Sequence, residues 1–132
     1  MINHVVIGSN NIQRSKAFYD ATMSTLGVNA PVELTNDTGQ TRLYYIHDGI
    51  TLGVCEPLNS EPATAANGFT IGFKCNSPEQ VDAFHDAAVA NGGRTTEDPP
   101  GLRTGGMVEM YVCYFLDPDG HKICGVHYPQ TN

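Results

Sequence analysis

Two stretches of the chain carry apolar residues at helical spacing. In the first, Phe18, Thr22 and Leu26 fall on one face, with Asn11 placed to cap the start and Gly27 to stop the end. In the second, Val81, Phe84 and Ala88 form the stripe. Ser77-Pro78-Glu79-Gln80 opens it as a capping box with proline at the first helical position, and Gly92-Gly93 closes it. Short runs rich in Val, Ile, Tyr and Leu predict strands over His4 to Gly8, Arg42 to Ile46, Thr51 to Cys55, Phe69 to Cys75, Met110 to Leu116 and Lys122 to Tyr128. Turn residues separate them at Asn36-Asp37-Thr38-Gly39, His47-Asp48-Gly49 and Asp117-Pro118-Asp119-Gly120.

The pattern repeats. Ala17-Phe18-Tyr19-Asp20-Ala21 recurs as Ala83-Phe84-His85-Asp86-Ala87 at an offset of 66, and Ile7 meets Phe73 and Gly27 meets Gly93 at the same offset. Asp48-Gly49-Ile50-Thr51-Leu52 matches Asp119-Gly120-His121-Lys122-Ile123 at an offset of 71. Each half therefore reads as strand, helix and three strands. The fold expected is a single α+β domain over 1–132, built of two tandem βαβββ modules at about 1–59 and about 67–128. The small, polar stretch Ser60 to Asn67 links them. One module alone leaves a sheet face wet. Two modules can curl their sheets around a shared cavity, with the helices outside.

Composition narrows the function classes. Seven Lys and Arg against 14 Asp and Glu give a net charge of −7, which argues against nucleic-acid and membrane-surface partners. No apolar run reaches the roughly 18 residues of a membrane span. No secretory signal is visible, so a cytoplasmic location and free thiols are expected for Cys55, Cys75, Cys113 and Cys124. Their spacing matches no zinc-ribbon pattern. Neither a P-loop nor a dinucleotide fingerprint is present, so no nucleotide cofactor is expected.

The segments Asn3-His4-Val5-Val6-Ile7-Gly8, Arg14-Ser15-Lys16-Ala17-Phe18-Tyr19 and Asp117-Pro118-Asp119-Gly120-His121-Lys122-Ile123 resemble the glyoxalase/bleomycin-resistance/extradiol-dioxygenase superfamily, also called the vicinal oxygen chelate superfamily. Glu56-Pro57 and Pro100-Gly101-Leu102-Arg103 resemble its small bacterial glyoxalase-like subgroup. The resemblance implies the paired-module fold, a homodimer and a small-molecule cavity. It also implies four metal-ligand positions: a His on the first strand of each module and an acidic residue on the last. Carried over, these are His4, Thr70, Gly53 and Cys124, and only His4 keeps the pattern. His4 and Cys124 are the candidate metal ligands, a nitrogen and sulfur pair that suits zinc among divalent ions.

Strand parity assigns Val5, Ile7, Ile71 and Phe73 to the helix-packed face, which turns His4 and Thr70 to the cavity. A turn centred on Pro118-Asp119 places Cys113 opposite Cys124, and the matching register places Tyr44 opposite Gly53. Arg103, in the long loop from Gly93 to Gly106, is expected over the cavity as an anion-binding lid residue. Tyr111 is expected to line the cavity, and Glu109 is the candidate general base. His85 and His121 are expected in solvent. Two functions fit these residues. One is a glyoxalase-like lyase or isomerase acting on a small carbonyl or thiol adduct. The other is a metal-free small-molecule binding or sequestering protein of the bleomycin-resistance type.

Overall fold

The structure is a computed structural model and describes residues 1–129. The last three positions of the expected 1–132 domain lie outside the described residues. The first half contains strand β1 (His4–Gly8), helix α1 (Ile12–Thr25), and strands β2 (Val32–Thr35), β3 (Thr41–His47) and β4 (Ile50–Cys55). The second contains β5 (Ile71–Lys74), α2 (Pro78–Ala90), β6 (Arg94–Thr95), β7 (Gly101–Arg103), β8 (Met110–Leu116) and β9 (Lys122–His127).

Both helices begin where their caps dictate. The Asn11 side chain accepts from the Arg14 N–H, and the Ser77 hydroxyl accepts from the Gln80 N–H at 3.1 Å. The return arm of the second cap reaches one residue further than a simple capping box: Gln80 Oε1 accepts from the Asn76 N–H at 2.6 Å.

The first sheet runs β1-β4-β3-β2 and the second runs β5-β9-β8-β6, with β7 also on β8. In each, the first strand pairs in parallel with the last, and the others are antiparallel. The two sheets are not closed into a barrel. They are joined through their helix-side faces. Phe18 and Phe84 pack edge-on against Phe115, and Leu43, Val54 and Ile123 are buried in the same core. Each such ring removed from water stabilises the fold by about 1.5–3 kcal/mol.

The segment from Gly93 to Gly106 is not a bare loop. Its β6 and β7 both pair antiparallel with β8. The register of the final hairpin also departs from expectation. Tyr114 lies opposite Cys124, and Cys113 lies opposite Gly125. Asp117 and His121 close the turn through a backbone bond, with Gly120 at φ +91°. Three residues therefore connect the strands, which shifts the pairing by one. In the first module Tyr44 does lie opposite Gly53.

The Asp117–Gly120 turn also locks the two modules together. The Asp119 carboxylate accepts from the Asn10 N–H, the Arg14 guanidinium and the Ser15 hydroxyl. His121 is buried, not solvated, because its Nε2 reaches the Gly8 carbonyl at 2.7 Å. His85 is likewise largely covered, with Nε2 2.7 Å from the Thr95 hydroxyl.

Candidate functional site

The faces of the two sheets that turn away from the helices hold the positions singled out in the sequence. On the first sheet, the parallel register sets His4 beside Thr51 and Val6 beside Gly53, and the antiparallel register adds Tyr44 and Ile46. Val5 and Ile7 point into the core instead, as their parity requires. His4 is exposed, with Nδ1 2.7 Å from Asn3 Oδ1, so an N–H on Nδ1 is satisfied and Nε2 is left free. Much of this face is apolar and open: Val6 is 53% exposed and Ile46 56%, with Val32 and Leu34 exposed on the edge strand.

On the second sheet, Thr70 lies just before β5 and is exposed. Cys124 pairs with Gly72 on one side and Tyr114 on the other. Burial pushes its thiol above the usual range, and the neighbouring Tyr114 side chain draws it part of the way back. Lys122 lies over the Tyr114 ring, 4.9 Å from its centroid, and is ion-paired with Glu97. Arg103 shares this face through its place opposite Met110. Its guanidinium donates to the Asp98 and Pro99 carbonyls at 3.2 and 2.9 Å, so it fastens its own loop.

Two candidates stand elsewhere. Tyr111 belongs to the helix-packed face, where its hydroxyl donates to Asp82 on α2 at 2.9 Å. The one-residue register shift that moves Cys113 into the core moves Tyr111 with it, and brings Tyr114 to the free face in their place. Tyr114 was missed for that reason. Glu109 is exposed in the segment before β8.

The four metal-ligand positions do not make a metal cradle. Gly53 offers no side chain, and a Cβ there would lie 3.1 Å from Val6 Cγ2 and 3.5 Å from the Tyr44 ring, so a ligand side chain would have to displace Val6 by a few tenths of an ångström. A Cβ at Gly72 would meet nothing within 4 Å, yet no donor stands there. Thr70 is a weak ligand, and the Cys124 thiol is held protonated by burial. Among the described residues, no group of three or more His, Cys, Asp or Glu side chains is arranged to hold an ion. Glu56 and His127, the nearest substitutes in sequence, are engaged elsewhere: Glu56 accepts from the Thr41 N–H, and His127 Nδ1 is 3.1 Å from the Cys75 carbonyl.

This arrangement of paired βαβββ modules, with ligand positions on the first and last strands, is that of a vicinal-oxygen-chelate protein. The profile of the Glyoxalase/Bleomycin resistance protein/Dioxygenase superfamily matches residues 1–124, and the chain belongs to that superfamily. It is similar to the crystal structure of a glyoxalase/bleomycin resistance protein from Albidiferax ferrireducens T118, at 47% identity and a TM-score of 0.88, over 96% of this chain and 98% of that one. It shares its fold with a putative glyoxalase from Bacillus halodurans, at 22% identity and a TM-score of 0.73, over 96% of this chain and 94% of that one. Glyoxalase I from Zea mays matches at 21% identity and a TM-score of 0.73, over 94% of this chain but 44% of that longer one. The comparison with curated proteins returned no match.

Proposed function

We propose that this chain is a metal-independent small-molecule binding protein of the bleomycin-resistance type, with its ligand held on a free sheet face, where the first sheet presents His4 and the second presents Tyr114 and Cys124. The observation that carries this reading is that the Gly53 position presents no side chain and stands between Val6 and Tyr44 on an apolar face. An acidic ligand position has become part of an apolar wall. Lys122 adds a cationic rim, while Cys124 stays neutral and serves as a small apolar contact.

The apolar face of the first sheet supports a homodimer, because Val6, Val32, Leu34 and Ile46 together leave an open hydrophobic strip that a second copy would cover. Four unpaired, buried cysteines fit a reducing, cytoplasmic setting. No helix among the described residues is long and apolar enough to cross a membrane.

A second reading is favoured by the retention of His4. It is a glyoxalase-like lyase or isomerase on a small carbonyl or thiol adduct, with zinc on His4 and Cys124. An affinity screen of hydrophobic small molecules on protein treated with a chelator separates the two. The first reading expects ligands to bind unchanged after chelation, and to be lost in Val6→Lys. Binding or turnover of glutathione–aldehyde adducts that appears only after zinc is restored would replace it with the second.

A further inference from the structure

The internal repeat has two equivalent junctions between modules, and they differ. At one, the Asp119 turn docks on Asn10, Arg14 and Ser15. At the other, the equivalent hairpin His47-Asp48-Gly49 faces Asn76 and Gln80, yet makes no hydrogen bond to either among the described residues. Asp48 instead lies 3.4 Å from His47 Nε2. A groove of about 480 Å³ is left where the second docking would be.

The groove runs through the gap between the unpaired edge of β5 and the start of β1, with Val5, Leu52 and Phe73 lining it from the helix side and Thr51, Gly72 and Lys74 from the free-face side. Val5, Leu26, Leu52 and Phe73 give it an apolar floor, and Lys74 lines its rim, as does Asp48, which is engaged by His47. Its size is that of a small-ligand pocket. Lys74 is notable among the seven basic side chains. Arg14, Lys16 and Lys122 are ion-paired, Arg103 donates to carbonyls and Arg42 donates to Tyr44. Lys74 and Arg94 alone have no such partner among the described residues, and Lys74 is the one at a cavity.

We propose that this groove binds a small monocarboxylate with an aliphatic body, its chain on the apolar floor and its carboxylate on the Lys74 ammonium. The uncharged end of such a ligand needs a dry slot, and its charged end needs a donor at the mouth. The groove supplies one of each.

The test is a titration of isotope-labelled full chain with octanoate and, separately, with octan-1-ol, followed by amide shifts. The expected result is saturable binding of one octanoate per chain, with shifts centred on Val5, Leu52, Phe73 and Lys74, and octan-1-ol at least about tenfold weaker. Lys74→Gln, at an exposed position that leaves the core untouched, should bring octanoate down to the alcohol's level. Val28→Trp, at the groove wall, should block both ligands. No saturable shift up to the solubility limit overturns the proposal. So do shifts centred on Tyr114 and Cys124, equal affinities for acid and alcohol, or octanoate binding unchanged in Lys74→Gln.

Discussion

Tyr19 on α1 and Asp117 at the end of β8 stand 98 positions apart in sequence, and the tyrosine hydroxyl donates to the carboxylate at 2.5 Å inside the core. Each belongs to a different module. Burial pushes the Asp117 carboxyl above the usual range, while the Tyr19 bond and the His121 and Asp119 N–H groups pull it back. The two copies of the repeat are thus held by a charge that the fold keeps partly desolvated and must satisfy.

That balance predicts a pH dependence. Asp117 has a folded-state pKa raised above its ordinary 3.8, so its contribution to stability is complete below that value and is lost as pH rises through the raised one. The Tyr19 bond favours the ionised form. Tyr19→Phe should therefore cost about 1.5–3 kcal/mol at pH 8 and distinctly less at pH 4. Urea unfolding at the two pH values checks this, and an equal loss at both would show that the bond is not charge-assisted.

Asp119 is the other half of the clamp. Its side chain is 2% exposed and accepts from three donors in the first module. Asp119→Ala should destabilise the fold by about 1.5–3 kcal/mol, because it removes the charged acceptor shared by the Asn10 N–H, the Arg14 guanidinium and the buried Ser15 hydroxyl. Asp119→Asn should cost less. Thermal melting of the two variants measures the difference.

Gly125 is required by contact. A Cβ there would lie 2.8 Å from the Phe84 ring and 3.1 Å from Cys113 Sγ. Gly125→Ala should cost about 1–3 kcal/mol through overpacking, and Gly72→Ala, where a Cβ meets nothing within 4 Å, should be far milder. Denaturant midpoints of the pair give the comparison.

Thiol chemistry is predicted to be silent. Burial pushes Cys113 up to about 12 and Cys75 up to about 11, and Cys55 and Cys124 are raised for the same reason. An aromatic disulfide reagent at pH 8 should label none of the four in the native protein within minutes, and all four after denaturation. Fast native labelling of Cys124 would mark it as an accessible nucleophile.

Local chemistry made much of the fold legible. The Asn11 and Ser77 caps, the stripe at Val81, Phe84 and Ala88, and the repeated blocks all act within a few residues, and β1 and β8 begin and end where their sequence says. Features that depend on distant pairing were not legible. Strands β6 and β7, of two and three residues, exist only because β8 offers them an edge. His121 looks like a turn residue until Gly8 of the other module is beside it. One extra turn residue before His121 reversed the facing of Tyr111, Cys113 and Tyr114. A single slip thus redrew the candidate site while leaving the fold unchanged.

The loss of the metal cradle at Gly53, Thr70 and Cys124 is the centre of the functional reading. It is tested most directly by metal content after untagged protein is loaded with zinc, nickel or manganese and then dialysed. The expected result is no stoichiometric ion in the wild-type chain and no difference in His4→Ala. About one tightly held ion per chain, absent from His4→Ala, would contradict it.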